Sequence, residues 1–218
     1  MNHEKKSRRI RILVSKSTIK GVVLISFEYP PRRLSLFSDI VQNVAYQLIK
    51  NGTKVWIITF DDWRSDIDIV KKKLVINRIP YNVTDNISNY SMIINLKPNY
   101  QSALASILNK EKIDIIHFFN WQVLPLVISW ESKLKQKLVY STNSIQSTRE
   151  NTPTAEGMKK IEQLSMKAFD KIIVDSKELA KSINTDYSVD GQKIVTQSFK
   201  LKKYVTNILE VYSELIGK

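Results

Sequence analysis

Cysteine is absent from the 218 residues, which removes disulfides and thiolate metal sites and leaves the redox compartment open. Glycine is scarce: the five glycines stand at 21, 52, 157, 191 and 217, and no spacing among them makes a G-x-G-x-x-G or a Walker loop. Histidine occurs twice, as His3 and His117. A histidine metal pair therefore has no mate in the body of the chain, and neither a metal nor another cofactor is expected. No apolar run approaches the roughly 18 residues of a membrane span, and the amino terminus lacks the apolar centre of a signal peptide. The expectation is a cytoplasmic protein.

Acidic residues are also few: 21 Asp and Glu face 34 Lys and Arg, a formal charge of +13. Part of the excess lies in residues 1–20, where Lys5, Lys6, Arg8, Arg9, Arg11, Lys16 and Lys20 face only Glu4. Such a block reads as a solvated arm able to contact anionic surfaces. Within it Ile10 to Val14 alternates with Arg11 and reads as an extra edge strand. Trp56, Trp63, Trp121 and Trp130 are scattered singly and suit a core better than a base-stacking platform. Weak docking to an anionic membrane, which would make the protein peripheral there, accordingly ranks above nucleic acid.

What is present is a succession of short apolar strands and amphipathic helices. Val22-Val23-Leu24-Ile25-Ser26 has no polar alternation, as expected of a strand covered on both faces. Ile40, Val41, Val44, Ala45, Leu48 and Ile49 recur at helical spacing behind Ser38 as N-cap, and Gly52 stands at the left-handed C-cap position. Further strands are predicted over 54–60, 73–79, 113–118, 138–141, 171–174 and 193–196. Helices are predicted over 99–109, 121–133 with an interruption at Pro125, 158–168, 177–184 and 204–215. Residues 82–91 and 144–156 read as loops. With 43% hydrophobic residues the chain has material for one sizeable core, and the right-handed crossover rule makes it an α/β fold: a single Rossmann-like, doubly wound, mostly parallel sheet.

Several blocks resemble a known family. Phe27-Glu28-Tyr29-Pro30-Pro31, the helix after it and Asn51-Gly52-Thr53-Lys54-Val55 are similar to the opening of the glycogen synthase-like glycosyltransferases of family 4, which have a GT-B fold. Asp114-Ile115-Ile116-His117-Phe118-Phe119-Asn120-Trp121 resembles the family's D-V-V-H-x-H-D-W, and Leu138 to Ser144 its V-x-T-x-H-S strand. Ile161-Glu162 followed by Ala168 to Ser176 resembles I-E-x(5)-A-D-x-V-I-V-x-S. The resemblance spans roughly residues 21–200, read as an amino-terminal-type domain. The stripe of Leu201, Tyr204, Val205, Ile208, Leu209, Tyr212, Leu215 and Ile216 then resembles the helix that returns to that domain in full-length members. Residues 201–218 are therefore expected as a carboxyl-terminal helix packed on it, and no nucleotide-sugar domain is expected in this chain.

The resemblance also says where a sugar site would lie and how it departs from the pattern. The family's G-G-L-G turn aligns with Ser35, Leu36, Phe37 and Ser38, whose two bulky side chains would fill the space of a ligand. Its histidines align with Phe119 and Asn143, and its aspartate with Asn120. Asparagine bonds hydroxyls but does not exchange protons near neutral pH. Glu28, at the carboxyl edge of the first strand, is the candidate acid, base or hydroxyl-binding group. Glu28, Asn120 and Asn143 are thus the catalytic candidates, and Arg32, Ser35, Arg149 and Glu162 join them as substrate-binding candidates. The competing structural readings are a Glu28 bonded to its own turn or to Arg32, a solvated helical Glu162, and a His117 in the core bonded to backbone. Asp66-Ile67-Asp68 spells D-x-D but reads as an acidic loop.

Two functions are compatible with these residues. One is half of a split or partner-dependent glycosyltransferase with a degenerate sugar site, completed by a second chain carrying a nucleotide-sugar domain or associating as a homodimer. The other is a non-catalytic binding or regulatory module whose basic surface engages membrane, nucleic acid or a partner protein. Sugar transfer by the chain alone is not expected.

Overall fold

The computed structural model describes residues 19–61, 66–81, 89–128, 130–149 and 153–217. The strand expected at Ile10 to Val14 lies outside them. Among the described residues, eight strands form one sheet: β1 (Gly21–Ser26), β2 (Lys54–Asp61), β3 (Ile67–Lys71), β4 (Leu74–Pro80), β5 (Ile115–Phe119), β6 (Lys137–Thr142), β7 (Lys171–Val174) and β8 (Ile194–Thr196). Their order is β3-β4-β2-β1-β5-β6-β7-β8, and every pairing is parallel except β3 with β4. The chain builds outward from β1 in one direction and then restarts at β5 in the other. The β1/β5 border is therefore the topological switch point, where open α/β sheets place ligands at the carboxyl ends of their strands.

The α-helices are α1 (Leu36–Lys50), α2 (Asn89–Lys110), α3 (Ala155–Met166), α4 (Lys177–Tyr187) and α5 (Leu201–Ile216). Two buried cores lie on opposite faces of the sheet. Val22 and Leu24 of β1 join Ile40, Val44 and Leu48 of α1 and Tyr204, Ile208 and Tyr212 of α5. Val23 and Ile25 join Leu96, Tyr100 and Leu104 of α2, together with Met166 and Ile183. Alternate residues of one strand thus feed two cores, which is why β1 reads as an unbroken apolar run. The returning helix is packed as its stripe predicts.

Four local expectations are corrected. Ser35, not Ser38, caps α1: its Oγ accepts from the Phe37 N–H at 3.1 Å, while the Ser38 hydroxyl donates to the Arg32 carbonyl at 3.0 Å. β3 was not expected; Asp66-Ile67-Asp68 enters this antiparallel edge strand rather than an acidic loop. α2 begins at Asn89 and runs through Pro98. Met92, Ile93 and Leu96 before the exposed proline and Tyr100, Leu104 and Ile107 after it are all buried, which outweighs the roughly 3 kcal/mol that an interior proline costs. Residues 121–133 form two short 3₁₀ turns, Trp121–Leu126 and Glu131–Lys133. Val123 to Leu126 are buried consecutively, so no single helical stripe exists to support an α-helix there.

Candidate functional site

The turn after β1 is built around Glu28, whose side chain is almost fully enclosed at 4% exposure. Its Oε2 accepts from the backbone N–H groups of Leu34 at 2.6 Å and Ser35 at 2.7 Å, and its Oε1 is bonded to the Ser35 hydroxyl. The Ser26 hydroxyl ties the other end of the turn, donating to the Glu28 carbonyl at 2.7 Å and accepting from the Glu28 N–H. An α-helix N-terminus offers unpaired N–H groups and a partial positive charge, and anions settle there. Here the anion is the chain's own carboxylate. Of the two structural readings for Glu28, bonding to its own turn is the one seen.

Neighbouring side chains complete this corner. Arg32 lies over the Phe60 ring, 4.5 Å from its centroid, and near Phe27, which stacks on Phe60 at 5.0 Å. Phe37 does not occupy ligand space as expected: it is wholly buried, against Phe119 at 6.3 Å and Phe199 at 5.4 Å. Leu36 faces solvent at 43% exposure and Leu34 at 59%. An open apolar pair therefore stands beside the filled turn.

Arg78 on β4 is the residue that sequence reasoning missed. Its guanidinium binds Asp61 of β2 at 3.0 Å, Asp68 of β3 at 2.9 Å and the Pro30 carbonyl at 2.9 Å. It is buried and locks the turn, the second strand and the edge hairpin together. Its signal was present as a cation flanked by Asn77 and Ile79 inside the predicted strand 73–79, beyond the apolar run Leu74 to Ile76.

Across the switch point, Asn120 directly follows β5 with φ +68° and ψ 166°, a backbone region that favours glycine and strains any residue with a side chain. Its side-chain oxygen accepts from the Trp121 N–H at 2.9 Å, and its own N–H donates to the Ser141 carbonyl at 2.8 Å. The Trp121 ring carries Arg149, whose guanidinium carbon lies 4.7 Å from the ring centroid. Arg149 pairs with Glu162 and donates to the Gln146 side-chain oxygen at 3.0 Å. Glu162 is fully buried, accepting also from the Gln146 N–H at 2.7 Å and the Tyr187 hydroxyl at 2.6 Å. The solvated reading of Glu162 is thus corrected: α3 turns Met158, Glu162 and Ser165 inward together. Burial, and then the bond to Glu162, pushes the Tyr187 hydroxyl well above its ordinary pKa. Asn143 is exposed just beyond β6. An open cleft of about 450 Å³ lined by Gln146, Arg149, Glu156 and Lys159 adjoins the Arg149 pair.

The candidates therefore fall into two groups: Glu28, Arg32 and Ser35 at the β1–α1 turn, and Asn120, Arg149 and Glu162 linked through Trp121. Asn143 stands apart at the end of β6. His117 belongs to neither group. It is wholly buried, and its ring nitrogens meet the Tyr212 hydroxyl at 2.6 Å and the Ser141 hydroxyl at 2.7 Å, with Ser141 bonded on to Tyr204 at 2.6 Å. It is a core histidine, but bonded to side chains rather than to backbone, and burial holds its pKa well below the usual value. Among the described residues, no group of three His, Asp or Glu side chains is placed to hold a metal ion, and no helix is long and apolar enough to cross a membrane.

A mostly parallel eight-stranded sheet with its ligand edge at a β1/β5 switch point, closed by a helix returning to α1, is the architecture of a GT-B glycosyltransferase's Rossmann-like amino-terminal half. The model of Glycosyltransferase Family 4 matches residues 39–197, and the chain belongs to that family. Solved structures agree on the fold. A sucrose-phosphate synthase from Thermosynechococcus elongatus, in a form named for its segments 27–220 and 406–426, superposes with TM-score 0.66 at 13% identity over 90% of this chain and 99% of its own. The same organism's sucrose-phosphate synthase in longer form gives 0.64 at 12% identity, covering 82% of this chain and 48% of that one. Starch synthase IV from Arabidopsis thaliana, bound to ADP and acarbose, gives 0.59 at 13% identity, covering 84% and 52%. The chain thus spans about half the length of these longer enzymes. No curated protein matches it in sequence.

Proposed function

We propose that the chain is the amino-terminal-type half of a partner-dependent GT-B glycosyltransferase, with the nucleotide-sugar domain supplied from outside the residues described. The observation that carries the proposal is the self-occupied turn: the Glu28 carboxylate holds the Leu34 and Ser35 amides that would otherwise meet a donor phosphate. This half then binds no donor by itself and contributes a surface to a shared cleft. Leu34 and Leu36, exposed beside that turn, offer the apolar contact that a second domain would cover.

Asn120, Asn143, Arg149 and Glu162 are assigned to the acceptor side in this proposal. Glu162 acts by positioning Arg149 over Trp121, and Arg149 presents a cation to the adjoining cleft. Neither asparagine transfers protons near neutral pH, so the degenerate site orients hydroxyls rather than activating them. Phe119, wholly buried where the family has a histidine, favours the second reading, a binding or regulatory module without transfer. Calorimetry with UDP-glucose and ADP-glucose tests the proposal: the isolated chain should show dissociation constants weaker than about 1 mM. A micromolar constant for either would overturn it. A pull-down that retrieves a nucleotide-sugar-binding chain, followed by transfer only in the mixture, selects the split enzyme; a mixture without transfer selects the module.

A further inference from the structure

The two edges of the sheet carry very different charge. Each of the seven parallel strands has a lysine at its amino end or within three residues of it: Lys20, Lys54, Lys73, Lys112, Lys137, Lys171 and Lys193. The segments leading into those strands, 19–20, 50–54, 72–73, 110–114, 134–137, 167–171 and 188–193, hold twelve lysines against four carboxylates, an excess of eight. The described connections at the carboxyl edge, 27–35, 61, 66, 81, 120, 143–149, 175–176 and 197–200, hold four cations and four carboxylates. Residues 1–18, which join the fold at Ile19 on the amino edge, add six cations and one carboxylate. Amino edge and arm together thus account for the whole formal excess of +13.

We infer that the amino edge of the sheet is a docking surface for an anionic lipid bilayer. Strands about 4.8 Å apart set the seven lysines in a row roughly 29 Å long, a line that suits a flat charged surface. All twelve cations of the edge are lysine, ten of them exposed, and these segments expose no aromatic ring. Nucleic-acid recognition draws on arginine forks and stacking platforms, and neither is present on this edge. Lysine as a hydrated point charge suits attraction to a leaflet of anionic headgroups without insertion. In this pose the carboxyl edge points into solution, away from the bilayer, where a second domain has access to it. The inference rests on the charge map and stands whether or not the chain takes part in sugar transfer.

The test is sedimentation of the full chain with phosphatidylcholine vesicles, with and without phosphatidylserine, and competition by a DNA duplex. Binding should require phosphatidylserine and weaken at least tenfold between low and high salt. The triple variant Lys73→Gln, Lys112→Gln and Lys135→Gln should bind at least tenfold more weakly. The control triple Lys200→Gln, Lys202→Gln and Lys203→Gln, which removes equal charge at the opposite end of α5, should stay within twofold. Circular dichroism confirms that both variants are folded. Equal loss in both triples would reduce the effect to net charge and overturn the assignment. So would binding to neutral vesicles, tighter binding to the duplex, or abolition by Arg8→Gln, Arg9→Gln and Arg11→Gln with no effect of the edge triple.

Discussion

Near the carboxyl edge a set of ionisable side chains is buried and held by protein partners; at the amino edge most of the lysines face solvent. Glu28, Asp61, Arg78 and Glu162 are all buried, and each is held by hydrogen bonds that fix a turn, a strand pair or a helix. The lysines of the amino edge are mostly exposed, and the pair of Lys54 with Glu111 is loose at 3.4 Å. The difference teaches that ionisable residues near a ligand edge need not be waiting for a ligand. Five of the seven sequence-level candidates, Glu28, Ser35, Asn120, Arg149 and Glu162, already have hydrogen-bonded protein partners.

The comparison predicts a graded series of stabilities. Arg78→Ala should cost the most, about 4 kcal/mol, because it removes the buried cation that joins Asp61 to Asp68 and frees the edge hairpin; urea unfolding measures it. A loss under 1 kcal/mol would show that the carboxyl-edge charges are solvated after all. Glu162→Ala should cost about 3 kcal/mol, leaving Arg149 and the Tyr187 hydroxyl without their shared acceptor. Glu28→Ala should cost about 2 kcal/mol by leaving the Leu34 and Ser35 amides of the turn into α1 without their acceptor, and a thermal melt reads it. The same variant sharpens the functional comparison: weak phosphate binding that appears only in Glu28→Ala would locate the self-occupied anion site directly.

Buried His117 gives a pH dependence. Its folded pKa is depressed, so the unfolded chain binds the proton more readily and the stabilisation from the neutral ring is complete only above the unfolded value near 6.5. As pH falls from there towards the folded value, stability should drop by up to about 1.4 kcal/mol per unit. His117→Phe should abolish that slope between pH 6.5 and 5 while lowering the plateau, since Tyr212 and Ser141 lose a partner. At the small end, Lys112→Gln on the amino edge should shift stability by less than about 0.5 kcal/mol. A larger shift would mean that this edge is structural too.

Much of the fold was legible because parallel strands covered on both faces leave unbroken apolar runs, as in β1 and β2. β3 escaped because Ile67 and Ile69 are exposed, at 68% and 73%; a short edge strand has no core-facing signature. The 121–133 stretch escaped because its burial follows consecutive residues rather than a period. At the site, position was legible and pairing was not. Glu28 could be placed at the carboxyl edge from its strand, but the amides that hold it belong to a turn whose path no periodicity describes. Glu162 is legible from its helix: Met158, Glu162, Ser165 and Met166 fall on one stripe, so helical spacing alone points Glu162 inward.

The chain from Tyr212 through His117 and Ser141 to Tyr204 has a consequence for how the protein is made. β5 leaves the ribosome carrying an imidazole whose partner hydroxyl lies 95 positions downstream. Until α5 follows, the face of the sheet that will hold Leu24 and Phe119 has only α1 to cover it. During that interval the nascent chain exposes a greasy, half-finished surface, and the protein's yield in the cell should depend on chaperones that bind such surfaces more than its final stability suggests.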